Sequence, residues 1–409
     1  MKPHGPIPPG FRADPDDMLL IGGDRAEALA DMAGDTPLFV YDSAMLTARV
    51  AEWRAAMPAE VQLHYAMKAN PYAPLLAWMA RLVDGFDVAS GGELKAALAS
   101  GMSAADISFA GPGKRDRELE AAIAAGATLN LESAGEAERA LSIADHLGVV
   151  PRLAVRVNPD FDLKGSGMKM GGGAKPFGVD AADVPSLVRR LIDAGADWQG
   201  FHIFAGSQAL DAAAIAETQA QTVALAGRLA NDIGHSPALV NLGGGMGVPY
   251  FPGDKAVDVA AVGDALAATL TARDPVLAGS RFAMELGRWL VAEAGVYLTR
   301  IVDRKTSHGE TFLVTDGGLH HQLAASGNFG TVIRRNYPIA VAGRFGAAPA
   351  ETVSVVGCLC TPLDRLGDQV ALPGAAVGDL IAIFQAGAYG ASASPATFLG
   401  QGPAREMLV

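Results

Sequence analysis

From about residue 60 onward, short apolar runs return along the chain at a regular beat. They stand at VQLHYAMK (61–68), GFDVAS (85–90), ISFAGP (107–112), TLNLES (128–133), RLAVRVNP (152–159), GFHIFAG (200–206), ALVNLGG (238–244) and RFAMELGR (281–288). Each reads as a strand. Between most of them lie Ala/Leu/Glu-rich stretches of helical length, among them ELKAALAS, DRELEAAIAAG, GEAERALSIADHL, DVPSLVRRLIDAG and AQTVALAGRLANDI. Gly101, Gly126 and Gly195 close several of these as C-terminal stops. Strands alternating with helices imply parallel strands joined by right-handed crossovers. Eight such units predict an α/β fold built on a closed (β/α)8 barrel. An open doubly wound sheet is the alternative.

After Arg288 the period changes. VYLTRIVDRK, TFLVTDGG, ETVSVVG and DLIAIFQAG follow one another with Gly, Asp and Pro turns between them, which predicts a C-terminal antiparallel β domain. The strand PLFVYD (37–42) precedes the barrel and is expected to join that later sheet. The division predicted is an N-terminal extension over 1–36, a connecting strand and helix over 37–58, the barrel over 59–284 and the β domain over 285–409. The one long helix-free insertion in the barrel, DLKGSGMKMGGGAKPFG (162–178), has the glycine content of a mobile or backbone-binding loop.

Composition narrows the function classes. Half of the 409 residues are apolar, and 49 are glycine, which suits a packed α/β enzyme. The net charge of −12 comes without a basic stripe, which argues against nucleic acid as a partner. The two cysteines, Cys358 and Cys360, are awkwardly placed for a disulfide, and no CxxC pair suggests a metal site. The opening MKPHGPIPPGFRADPDD lacks the apolar core of a signal peptide, and no apolar run reaches membrane-spanning length. These features point to the cytoplasm.

In a barrel, chemistry belongs at the C-terminal ends of the strands. Lys68 closes the first, Asp87 and Ser90 stand near the end of the second, and Asn158 closes the fifth. His202 lies in the sixth, Gly243, Gly244 and Gly245 follow the seventh, and Glu285 and Arg288 close the eighth. A lysine on an ordinary surface would snorkel into water. At a barrel mouth it can lose its proton and form a Schiff base. NLGGGMG (241–247) lets backbone N–H groups approach an anion, or is simply a tight turn. Tyr389 in GAYG (387–390) is either a phosphate donor or a core tyrosine. Glu285 can keep a pyridine nitrogen protonated or form a structural pair with Arg288. His202 can stack on a ring or sit satisfied in the core.

Together, YAMKAN (65–70), DVASGGEL (87–94), GPGK (111–114), FHIFAGSQ (201–208), NLGGGMG, ELGR (285–288), GCLCTPLD (357–364) and GAYG resemble the fold type III pyridoxal-phosphate decarboxylases. That group holds the diaminopimelate, ornithine and arginine decarboxylases, and the likeness runs from about residue 37 to 400. More narrowly, the chain looks like the decarboxylases associated with exosortase and exopolysaccharide systems, with similarity also to the branch acting on carrier-protein-bound glutamate.

The resemblance implies that Lys68 holds the cofactor covalently, that Asp87 helps bind it and that His202 stacks on its ring. Glu285 would meet the pyridine nitrogen. Gly243, Gly244, Gly245, Gly287, Arg288, Ser207 and Tyr389 would surround the phosphate. Cys360 would protonate the carbanion in the other subunit's site, so a homodimer with shared active sites is expected. Arg288, Arg334 and Asp364 are the substrate candidates. No metal is expected.

Two departures stand out. Cys360-Thr361-Pro362 replaces the family's Cys-Glu-Ser, removing a carboxylate for a distal ammonium, so free diaminopimelate is not the expected substrate. Phe204 and Ala205 lengthen the family's His-Ile-Gly-Ser. The rival readings are an amino-acid racemase and a pyridoxal-carrying or scaffold protein in polysaccharide assembly.

Overall fold

The computed structural model describes every residue except Ser166 and residues 329–333. One position of the Gly-rich loop and the end of HHQLAASGNFG therefore lie outside the described residues. The chain divides into two compact units, one comprising residues 49–247 and 256–287, the other 1–48, 248–255 and 288–409.

In the first unit all eight expected strands form, at Val61–Ala66, Gly85–Val88, Ile107–Phe109, Thr128–Leu131, Arg152–Asn158, Asp197–Ile203, Leu239–Asn241 and Arg281–Leu286. Each pairs in parallel with its sequence neighbours, and the eighth pairs with the first, so the sheet closes and the open alternative is excluded. Closure works because the strands are buried on both faces. Leu63, Tyr65, Phe86, Phe109, Phe201 and Phe282 are all sealed from solvent, each contributing roughly 1.5–3 kcal/mol of transfer free energy. The register sets Glu285 beside His64 and Asp87 beside Ala66, bringing the functional ends of strands eight, one and two to one rim.

The helices follow the expected pattern, with the stretch after the sixth strand running the full length Ala212–Ile233. Gly126, Gly148 and Gly234 end helices in the left-handed conformation that a side chain disfavours. Among the described residues, no helix is long and apolar enough to cross a membrane.

The second unit is a sheet built around the long strand Gly295–Ser307. It pairs antiparallel with Leu380–Phe384, Glu310–Thr315 and Leu38–Tyr41. PLFVYD thus joins the later sheet, as its pattern suggested. The sheet is mixed rather than purely antiparallel. Leu38–Tyr41 runs parallel to the final strand Arg405–Leu408, and Glu310–Thr315 parallel to Glu351–Val356. Residues 1–36 are more than an extension. Phe11, Leu19, Ile21, Leu29 and Ala30 pack into the same core as Leu38, Val296, Leu380 and Phe384, so burial ties both chain ends to one sheet.

Candidate functional site

The first barrel strand ends at Ala66, and a single 3-10 turn, Met67–Ala69, carries Lys68. The buried Tyr65 hydroxyl donates to the Asn70 carbonyl at 2.9 Å and fixes the turn from beneath. Lys68 Nζ lies 3.6 Å from Glu285 Oε1 and 5.4 Å from the centre of the Phe204 ring. With 46% of its side chain exposed, the lysine faces a cavity of about 200 Å³ at the strand ends. Asp87, Arg156, Met170, Phe177, His202, Phe204 and Glu285 line the same cavity. An amine held in a pocket against a buried carboxylate is not an ordinary surface lysine.

Glu285 is only 6% exposed. Burial alone would raise its pKa, but the charge of Lys68 and the hydrogen bond from His202, with the charge of Arg156 behind them, bring it down to about 2. Its other oxygen lies 2.9 Å from His202 Nε2. An ionised carboxylate only accepts, so the proton of that bond sits on Nε2. His202 therefore meets Glu285 through its ring edge.

The glycine run after the seventh strand is required by packing. Gly243 has φ +70, and a Cβ there would stand 2.6 Å from the Ile203 carbonyl oxygen. A Cβ on Gly244 would meet the Glu285 carbonyl oxygen at 2.0 Å, closer than any side chain tolerates. The backbone of this turn also bonds to the eighth strand, Glu285 N–H donating to Gly243 O at 2.8 Å. At Gly287 a Cβ would crowd the Ala66 carbonyl oxygen at 2.9 Å. The glycines let the turn lie against the strand that carries Glu285.

Beneath the rim, His64 Nδ1 stands 3.3 Å from Asp87 Oδ2, with both side chains buried. Burial works against a charged imidazole, but Asp87, then Glu285 and Asp84, raise the His64 pKa above its ordinary value. Arg156 pairs with Glu132 at 2.9 Å, and Glu132 also accepts from the Gly111 and Gly178 N–H groups. His64, Arg156 and Glu132 were missed in the sequence. The available signal was a charged or polar residue at an inward position of an otherwise apolar strand. Two other motif residues, Ser90 and Lys114, are architectural. Ser90 caps the helix Gly91–Ala99 by accepting from Glu93 N. The Lys114 ammonium of GPGK is buried against Glu136, Gly111 O and Asn130 O. Ser207 lies in a short antiparallel ladder opposite Met168.

In the sheet unit, Arg288 donates to the Tyr250 hydroxyl at 2.9 Å and lies 4.7 Å from the Tyr389 ring centre. Cys360 is exposed and Cys358 half-buried. Asp364 holds their loop, accepting from Leu319 N at 2.7 Å and Leu359 N at 2.9 Å. Its carboxylate is turned into that loop. Burial raises its pKa, against the pull of those two N–H groups. Arg334 donates to the Leu363 carbonyl of the same loop at 3.2 Å.

A closed barrel with an amine, an ionised carboxylate and a glycine turn at one rim, followed by a mixed sheet, is compatible with the class of barrel enzymes that work through a lysine-held carbonyl cofactor. The family model described as the pyridoxal binding domain of pyridoxal-dependent decarboxylases matches residues 43–292. The chain is 36% identical over 384 residues to the L-glutamyl-[BtrI acyl-carrier protein] decarboxylase of Niallia circulans, covering 91% of this chain and 89% of that protein. It is 32% identical to the diaminopimelate decarboxylase of Methanothermobacter thermautotrophicus, covering 92% and 87% of the two chains. Among solved structures, diaminopimelate decarboxylase from M. jannaschii in complex with L-lysine superposes with a TM-score of 0.88 at 26% identity, covering 98% of this chain and 92% of that one. The chain belongs to the pyridoxal-dependent decarboxylase family, and it is a carboxy-lyase of that kind.

Proposed function

We propose that this enzyme removes the α-carboxylate of an amino acid presented on a carrier protein, using pyridoxal phosphate bound at the Lys68 rim. The observation that carries the site assignment is the Lys68–Glu285–His202 cluster, in which a buried carboxylate stays ionised within 3.6 Å of the amine. Those residues fit the cofactor. Lys68 would supply the amine, Glu285 the negative charge that favours a protonated ring nitrogen, and the Gly243–Gly245 turn, partly exposed at Gly244, backbone near which an anion can rest. When bound, the cofactor supplies a sink for the electron pair left as carbon dioxide departs.

The chain's own groups do the rest. Glu285 would favour a protonated ring nitrogen, and His202, bonded to Glu285, fixes that carboxylate's orientation. Asp87 adds a second negative charge to the cavity. Arg288, Gly287, Ser207 and Tyr389 complete the proposed phosphate contacts, and Arg334 is assigned to the substrate carboxylate. The Cys360 thiol returns a proton to Cα, acting in a partner subunit's site, so the active form is a homodimer. The carrier-linked substrate is favoured over free diaminopimelate for two reasons. The 36% identical relative is named for a carrier-bound amino acid, and Thr361 stands where the free-diamine enzymes place a glutamate. The narrower likeness to exopolysaccharide-associated decarboxylases rests on sequence motifs alone.

The test is carbon dioxide release from purified protein loaded with pyridoxal phosphate, offered glutamyl-carrier protein, free glutamate and diaminopimelate. Lys68→Ala is expected to abolish both turnover and the visible absorbance of the loaded protein. Cys360→Ala is expected to keep the absorbance and slow product formation. Turnover of free diaminopimelate alone would overturn the carrier reading. An inverted enantiomer with no carbon dioxide would make the protein a racemase.

A further inference from the structure

The two places where this chain departs from a plain barrel, the Phe204–Ala205 insertion and the glycine-rich loop 162–178, meet each other. The Ala205 carbonyl accepts from the backbone N–H groups of both Met170 and Gly171, at 3.1 and 3.2 Å. Just beyond, Met168–Lys169 and Gly206–Ser207 form an antiparallel ladder. The inserted residues therefore anchor the loop through its backbone, and three apolar side chains gather at the cavity: Phe204 from the insertion, with Met170 and Phe177 from the loop. The Phe204 ring is the one that faces the Lys68 ammonium.

The charged groups of this cavity already face opposite charges. Arg156 meets Glu132, Lys68 meets Glu285, which also accepts from His202 Nε2, and Asp87 lies beside His64. A second carboxylate on the substrate would join Asp87 and Glu285, two buried negative groups. A distal carboxylate would lose water against Phe204, Met170 and Phe177, which offer it no hydrogen bond. An ester, thioester or amide loses far less there.

We infer that Phe204 is a specificity-determining residue, carried on an insertion that anchors the glycine-rich loop, and that its apolar wall selects amino acids whose distal carboxyl is masked as a neutral ester, thioester or amide. This rests on the proposed decarboxylation at the Lys68 rim and deepens it by naming what the wall recognises chemically, independent of any contact with the carrier.

The experiment compares kcat/KM for free L-glutamate with that for its γ-methyl ester and a small γ-thioester, using pyridoxal-loaded wild type, Phe204→Ala, Phe204→Leu and Met170→Ala. Wild type is expected to prefer the masked substrates by about tenfold or more, the size of one desolvated polar contact. Phe204→Ala is expected to reduce that preference at least about fivefold, chiefly by raising KM for the masked substrates. Phe204→Leu keeps an apolar wall and is expected to retain most of it, while Met170→Ala should shift it in the same direction as Phe204→Ala. Visible absorbance of the bound cofactor reports that each variant is folded and loaded. Equal preference in wild type and Phe204→Ala, with absorbance and turnover intact, would overturn the inference. Absence of carbon dioxide from every substrate, carrier-linked ones included, would instead remove the decarboxylase site on which it stands.

Discussion

Replacing Glu285 by Gln keeps the volume of the side chain and one accepting oxygen while deleting its charge. The carboxylate is driven from an ordinary 4.5 to about 2, with burial opposing and Lys68, His202 and Arg156 prevailing. At about 1.4 kcal/mol per unit, that depression is on the order of 3 kcal/mol of preference for the charged form. Since the folded pKa lies below the unfolded one, this stabilisation is complete above about pH 4.5 and is lost as pH falls toward 2. Glu285→Gln should therefore be less stable than wild type at neutral pH, and the gap should narrow as acid is added. Urea unfolding of both proteins at pH 7 and at the lowest pH where unfolding stays reversible measures it. In catalysis, losing the charge that favours a protonated ring nitrogen should lower kcat by roughly 10²-fold, the equivalent of about 3 kcal/mol in the barrier. A gap that is the same at both pH values, together with kcat within about threefold of wild type, would refute the assignment of an ionised, catalytically coupled Glu285.

Three further outcomes follow from the geometry. Gly244→Ala should cost several kcal/mol or displace the eighth strand, because its Cβ would fall 2.0 Å from the Glu285 carbonyl oxygen; urea unfolding and cofactor retention on dialysis check it. Glu132→Gln leaves Arg156 buried without its counter-charge and should destabilise by about 3–5 kcal/mol, read from the unfolding midpoint. Tyr250→Phe removes the hydroxyl that accepts from Arg288 at 2.9 Å. On the proposed role of Arg288 as a phosphate contact, it should weaken retention of pyridoxal phosphate by roughly fivefold, near one hydrogen bond's worth, while leaving binding of phosphate-free pyridoxal unchanged.

Much of the barrel was legible because its cause is local. A strand buried on both faces must be apolar along its length, and a crossover helix must carry an apolar stripe, so both periods show directly in the chain. Lys68 and Glu285 stood out for a related reason: a lysine or a glutamate at the exit of such a strand has no packing role that its residue type alone would suggest, whereas the three glycines are needed for the close approach of their turn to the eighth strand. Chain ends were harder. Phe11, Leu19 and Ile21 sit among prolines and turns, and nothing nearby says which sheet will cover them.

What the tertiary structure alone decided is which groups share a charge environment. Ser90, noted near the end of the second strand, is a helix cap, and Lys114 of the GPGK motif is a buried strut whose partners Asn130 and Glu136 come from the next strand and the helix after it. His64 and Arg156, which the sequence reading did not single out, stand against Asp87 and Glu132. Linear order records which residues can line a barrel mouth, because alternation along a strand assigns faces. It carries no record of which neighbour across the closed sheet will hold each charge, because that follows from register and curvature once the eighth strand meets the first.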